Sequence, residues 1–137
     1  MKIAAIDDYQ DAFRNLPCYA RLKDHEVVIF TDTEKDAARL ALRLAGANAL
    51  VLTQQRTPLP RATVEKMPAS LKLIAQTGKR VNHIDLAACT EKGIVVAAGG
   101  AGSPYSTSEL AWGLIISSLR HIPHEVQQLK QGKWRPR

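Results

Sequence analysis

The stretch Ala49-Leu50-Val51-Leu52 is short, apolar and continuous, and it decides the fold class of this chain. A strand with one face in water alternates apolar and polar residues, whereas a strand covered on both faces is apolar throughout. Four more runs of this kind flank it, at residues 3–6, 27–30, 71–75 and 94–98. Five such runs predict a parallel sheet that is covered on both faces.

The first two segments between these runs have helical spacing. Residues 8–22 carry Phe13, Leu16 and Tyr19 at three-residue steps, which predicts a helix there. In residues 33–45 we expect Thr33 to be the N-cap of a second helix, with Gly46 as its stop.

Two shorter helices follow. Pro60 is expected to open one that ends at Pro68, and Asp85 to cap another over residues 86–92, before Gly93. Strands that alternate with helices predict a doubly wound α/β fold with right-handed crossovers. For about 100 residues we expect the flavodoxin-like strand order 2-1-3-4-5, in a domain of residues 1–98.

The remainder of the chain has a different character. Residues 105–119 predict a long helix, capped by Ser106 or Thr107, that is apolar nearly all round. A helix that is apolar on every side is expected to be buried on every side, and residues 1–98 offer no room for it. Pro123 then starts a second helix, which ends at Gly132.

Composition excludes several classes of protein. Five of the basic residues and one acid follow position 119, which accounts for +4 of the net charge of +6, and Trp134 is the one aromatic residue among them. No nucleic-acid motif accompanies this basic end, so we expect no nucleic-acid partner. No run approaches the roughly 18 apolar residues of a membrane span. We therefore expect no membrane partner. Two cysteines are too few for a disulfide framework, so we expect a reducing, cytoplasmic location.

Two motifs allow more than one interpretation. Gly99-Gly100-Ala101-Gly102 lies between a strand and a helix, as a dinucleotide fingerprint does, but Pro104 falls inside the pattern. We therefore expect residues 99–104 to be a hinge. Asp7-Asp8 after the first run is typical of a phosphoacceptor domain, yet the third run ends without the required aspartate, so we expect Asp8 to cap a helix.

The loop after the fourth run, Gln76-Thr77-Gly78-Lys79-Arg80, follows the carboxyl end of a predicted parallel strand, the edge where open α/β sheets bind ligands. Glycine allows backbone amides to point outward toward a carboxylate or phosphate, and Lys79 and Arg80 add positive charge. A solvated turn before the helix capped by Asp85 is the alternative that these residues leave open. His83 could contact a ligand, but a structural hydrogen bond is the interpretation that we favour for it.

The sequence resembles the D-isomer-specific 2-hydroxyacid dehydrogenase family, close to its phosphoglycerate-dehydrogenase-like members. The segments that carry the resemblance span nearly the whole chain in the family's order. They are Arg56-Thr57-Pro58-Leu59-Pro60, Leu71-Lys72-Leu73-Ile74-Ala75-Gln76-Thr77-Gly78, His83-Ile84-Asp85-Leu86-Ala87-Ala88-Cys89, Lys92-Gly93-Ile94-Val95-Val96, Ser108-Glu109-Leu110-Ala111 and Lys130-Gln131-Gly132-Lys133-Trp134.

The resemblance implies a substrate-binding domain, followed by a hinge and by the first helices of an NAD-binding Rossmann domain at residues 105–137. It also implies site residues. Those for the substrate are Gln54, Gln55, Arg56, Gly78, Lys79 and Arg80. Those for NAD are Lys79 and Ser106. The chain departs from the family at two positions: Arg80 or Val81 stands where a second glycine is common, and Gln54 where relatives often have arginine.

In the family, the dinucleotide fingerprint and the catalytic arginine, glutamate and histidine follow the Gly-Lys-Trp segment, and this sequence ends at Arg137. We therefore expect the substrate-binding portion of an NAD-dependent oxidoreductase acting on the CH–OH group of D-2-hydroxyacids, truncated and inactive alone, with no metal site. The alternative is a non-catalytic interaction module that forms homo-oligomers through the apolar helix 105–119. The identity of the hydroxyacid and the choice between NAD and NADP stay open.

Overall fold

The computed structural model describes residues 1–100, 103 and 105–134. Five parallel strands form one sheet in the order β2-β1-β3-β4-β5, which confirms the predicted order. The strands span nearly the predicted runs. They are β1 (Lys2–Ile6), β2 (Glu26–Ile29), β3 (Ala49–Leu52), β4 (Leu73–Gln76) and β5 (Val95–Ala98).

The core lies at the centre of the sheet. Ala4, Leu50 and Ile74 are in register on adjacent strands, and all three are 0% exposed. The expectation that every strand is covered on both faces is wrong for β5. Its Val95 is 64% exposed, because β5 is an edge strand and α3 (Leu86–Glu91) is the helix that packs against it.

Three helices connect the later strands, and aspartate side chains cap the first turn of two of them. In α1 (Ala37–Arg43), the Asp36 carboxylate accepts a hydrogen bond from Arg39 N at 2.8 Å. The predicted cap, Thr33, is wrong, because the Asp36 carboxylate satisfies the first turn three residues later. α2 (Arg61–Val64) follows Pro60, and Asp85 caps α3 as predicted, by accepting from Ala88 N at 2.8 Å.

The segment between β1 and β2 is not the predicted α-helix. It forms two 3-10 helices, Phe13–Asn15 and Pro17–Leu22. The three-residue spacing of its apolar side chains matches the three residues per turn of a 3-10 helix, and Pro17 interrupts any continuous α-helical hydrogen bonding. The Asp8 carboxylate accepts from Ala12 N and Phe13 N, so it holds the start of the first 3-10 helix, as predicted.

The chain divides into two compact units, Met1–Gly100 and Ala101–Arg137. The second contains α4 (Ser106–Leu119) and α5 (Ile122–Lys130), with Gly132 in the left-handed region at φ +75°. The predicted caps Ser106 and Thr107 are wrong, since Tyr105 precedes α4 without a side-chain cap. Within the described ranges, no helix is long and apolar enough to cross a membrane. Half of the predicted hinge, residues 101, 102 and 104, and the basic residues Arg135 and Arg137 lie outside the described residues.

Candidate functional site

The loops after β3 and β4 are tied to each other at the carboxyl edge of the sheet. Gln54 adopts a left-handed conformation, with φ +58°, two residues after β3. Its N–H donates to Thr77 Oγ1 at 2.9 Å, and its carbonyl accepts from Gln76 Nε2 at 2.8 Å. A left-handed residue other than glycine is uncommon, and such residues cluster at functional sites. The sequence-predicted Gln54 and Gly78 segments are therefore brought together.

The backbone amides of this edge are free. The N–H groups of Gly78, Lys79 and Arg80 donate to no acceptor in the part of the chain that the structure describes. The same holds for Gln55 N and Arg56 N. Two runs of unpaired donors thus follow adjacent strands, and such runs bind anions when the backbone turns them inward.

Gln76 lies beneath the Gly78 loop. It is 5% exposed, and its Oε1 is buried without a hydrogen-bond partner among the described residues. A Cβ added at Gly78 would lie 3.6 Å from Gln76 Nε2, in ordinary contact with it. A buried amide oxygen without a partner is rare in proteins and marks a place where a donor from water or a ligand fits. Sequence reasoning missed Gln76, although a polar residue that ends an apolar run was the available signal.

A buried carboxylate organises the neighbouring end of β1. Asp7 is 1% exposed and left-handed, with φ +62°. Its Oδ1 accepts from Thr33 Oγ1 at 2.6 Å and its Oδ2 from Thr57 Oγ1 at 2.7 Å. Asp7 thus joins the segments that follow β1, β2 and β3. The phosphoacceptor interpretation loses its support, because protein donors occupy both oxygens of this carboxylate.

Arg56 completes this part of the site. It is half-buried; its Nη1 donates to the carbonyl of Asp7, and its guanidinium carbon lies 4.4 Å from the centre of the Tyr9 ring. Stacking on an aromatic ring and a hydrogen bond to a backbone carbonyl fix the planar group in one orientation. Arg56 was predicted for the site, whereas its two supports, Asp7 and Tyr9, were not.

The remaining predicted residues lie on the surface. Gln55, Lys79 and Arg80 are exposed, and across the described ranges their side chains form no hydrogen bond or ion pair. Lys79 belongs to the first unit and Ser106 to the second, where it is the first residue of α4. An exposed ammonium group and a helix N-terminus are both suited to a pyrophosphate, so neither residue type opposes the predicted NAD contact.

His83 differs from the prediction. We expected a structural hydrogen bond, but both of its ring nitrogens are buried without a partner in the residues described. Burial lowers the pKa of His83 from its usual value of 6.5, because the charged imidazolium loses its hydration. Leu59 N instead donates to the backbone carbonyl of His83 at 2.7 Å, which links the loops after β3 and β4 a second time.

Comparisons with known proteins agree on one family. The chain is 36% identical over 109 residues to the D-3-phosphoglycerate dehydrogenase of Methanocaldococcus jannaschii, a match that covers 80% of this chain and 20% of that protein. An oxidoreductase structure from Ralstonia solanacearum matches with a TM-score of 0.81 and 47% identity, over 98% of this chain and 39% of its own.

A D-lactate dehydrogenase from Aquifex aeolicus, complexed with NAD and lactic acid, shares the fold, with a TM-score of 0.62 and 24% identity over 98% of this chain and 39% of its own. This chain thus spans less than half the length of each of these proteins. The model of the D-isomer specific 2-hydroxyacid dehydrogenase catalytic domain matches residues 6–127. The chain therefore belongs to the D-isomer-specific 2-hydroxyacid dehydrogenase family.

Proposed function

We propose that residues 1–98 are the substrate-binding domain of an NAD-dependent enzyme that interconverts a D-2-hydroxyacid and a 2-oxoacid. The observation that carries this proposal is the pair of loops joined by Gln54, where free amides after β3 and β4 face the same edge of the sheet. Backbone donors in such an arrangement suit the carboxylate that every 2-hydroxyacid carries. Because these donors belong to the backbone, they survive the departures from the family at Gln54 and Arg80.

Residues 99–104 are proposed as the hinge, and residues 105–137 as the first helices of the NAD-binding domain. We propose NAD as the cofactor, with Lys79 and Ser106 among the residues that bind it, and hydride acceptance is the chemistry that NAD supplies when bound. The resemblance implies that the family's catalytic groups follow the Gly-Lys-Trp segment. The free thiols of Cys18 and Cys89 are consistent with the cytoplasmic location that we propose.

Oxamate, an unreactive analogue of a 2-oxoacid, tests the substrate site. In a titration followed by amide ¹H–¹⁵N spectra, we expect the amides of Gly78, Lys79 and Arg80 to shift, with millimolar affinity. Oxamide, its neutral diamide, is the matched control and should shift them far less. Shifts confined to other loops, or equal shifts with oxamide, would contradict the assignment.

Titration calorimetry tests whether this chain binds NADH. We expect no saturable heat from this chain alone, and micromolar binding would show that the chain holds the cofactor unaided.

We further propose that copies of the chain associate through α4. Its large apolar side chains are all at least about half exposed, and an apolar surface of this kind promotes self-association. The exposed apolar side chains of α4 are Leu110, Trp112, Leu114, Ile115, Ile116 and Leu119. Light scattering should give a mass of two or more chains, and Trp112→Ser should shift it toward one. A monomer at every concentration would oppose this second proposal and leave the substrate site untouched.

A further inference from the structure

A cavity of 340 Å³ lies between α1 and α2. Leu40 and Thr63 contribute to its walls from the two helices, and Thr33, Arg56 and Pro58 from the loops after β2 and β3. These loops flank the carboxyl end of β1. The chain adds β2 on one side of β1 and then β3 on its other side. Such a reversal of strand order is the place where open α/β sheets bind ligands. Of the residues assigned above to the substrate, Arg56 alone lines this cavity.

Arg56 differs from the other half-buried arginine of this unit. Arg43 is paired with Asp32, its Nη2 lying 2.6 Å from Oδ2, and it is also within 3.9 Å of Glu34. Arg56 has no carboxylate within 4 Å among the residues that the structure describes. A desolvated guanidinium without a counter-ion is unfavourable, and it attracts an anion of matching shape.

The guanidinium is also held ready for such an anion. One of its five N–H groups is used by the Asp7 carbonyl, and the Tyr9 ring supports one face. The nearby acidic side chains do not compete for the remaining donors. Asp7 accepts from two threonine hydroxyls, and Glu34 accepts from Asp36 N at 2.9 Å while lying near Arg43.

We propose that this cavity, defined as the α1–α2 pocket, is a second ligand site that binds a small organic carboxylate with an aliphatic body. The carboxylate pairs with Arg56, and Lys35 in the lining offsets the charge of Glu34, which also lines the cavity. The aliphatic body packs against Leu40, Pro58 and Pro60. The Gly78 loop takes no part in the pocket, whereas Arg56 belongs both to the pocket and to the proposed substrate residues.

Cyclohexanecarboxylate is the probe, and cyclohexanecarboxamide is its neutral counterpart of equal shape. In amide ¹H–¹⁵N spectra of the whole chain, we expect the acid to shift Lys35, Leu40 and Thr63 and to leave Gly78 in place. A hydrogen bond to a charged group predicts at least about tenfold weaker binding of the amide. Equal affinity for the two probes, or shifts that omit α1 and α2, would overturn the proposal.

Two variants sharpen the test. Arg56→Gln should abolish saturable binding of the acid, whereas Arg21→Gln removes the same charge from an exposed position and should bind as the parent chain does. Should Arg56→Gln not fold, the comparison of acid and amide on the parent chain decides alone. A folded Arg56→Gln chain that still binds the acid would refute the role of Arg56. Failure with oxamate would leave this result unaffected, since the two probes report on different amides.

Discussion

Thr57→Val is the substitution that tests the Asp7 network most directly. Thr57 is 5% exposed, and its hydroxyl donates to Asp7 Oδ2 at 2.7 Å. Valine has nearly the same shape, so the change removes the donor without opening a cavity. The carboxylate, itself 1% exposed, then keeps Thr33 as its one remaining side-chain donor. Hydrogen bonds to charged groups contribute about 1.5–3 kcal/mol, and we expect the free energy of unfolding to fall by that amount.

Thr63→Val is the matched control. Thr63 is 9% exposed and, like Thr57, lines the α1–α2 pocket. Its side chain forms no hydrogen bond with the described residues. Replacing its hydroxyl by a methyl group should change the free energy of unfolding by less than about 0.5 kcal/mol. The comparison thus separates the loss of a bond to a buried charge from the loss of a hydroxyl.

Urea unfolding measures both variants, followed by the amide cross-peaks of β1 and β3. Tryptophan fluorescence would not serve, because Trp112 and Trp134 both lie in the second unit, whose unfolding need not coincide with that of the sheet. Equal destabilisation by the two variants would refute the reasoning, since Asp7 would then gain nothing measurable from its hydroxyl donor.

Four further substitutions have defined outcomes. Burial lowers the pKa of His83, so below pH 6.5 the chain takes up a proton when it unfolds. The free energy of unfolding should therefore fall as the pH is lowered from 7 to 5. His83→Phe should flatten that slope in urea titrations. Gly93→Ala should destabilise the sheet by about 1–2 kcal/mol in the same assay, because Gly93 is left-handed at φ +66°. Gly113 lies within α4, and a Cβ added there would meet nothing within 4 Å. Gly113→Ala should therefore increase the helicity measured by circular dichroism. Leu50→Ala should lower the free energy of unfolding by about 2–5 kcal/mol, and a smaller loss would mean that the site collapses.

The strand order could be predicted because each strand is a local apolar run and because connection rules leave few topologies. The run Ala49–Leu52 coincides with β3, and Asp85 caps its helix as its residue type indicates. The helix starts were less predictable. Thr33 and Asp36 are both good caps, and the choice between them depends on Asp7, which lies 26 positions away from Thr33 and binds its hydroxyl.

The site was predictable at the level of loops but not of contacts. Gly78 indicated an open backbone, and the carboxyl edge of a parallel sheet indicated where a ligand would lie. The left-handed conformations of Asp7 and Gln54 have little signal in their residue types, since glycine is the usual residue there and aspartate only an occasional one. Both depend on partners that follow other strands, and such long-range pairing is invisible to local pattern reasoning.

These contacts also explain how the edge can tolerate variation in its exposed side chains. Asp7, Thr57 and Gln76 are buried and hold the turns after β1, β3 and β4, so the positions of the free amides depend on them. The side chains of Lys79 and Arg80 are exposed at the same edge and form no hydrogen bond or ion pair with the described residues, so replacing them changes charge and shape while the amides stay in place. Under the function proposed above, the free amides would hold a common carboxylate in place while the exposed residues decide which acid is accepted.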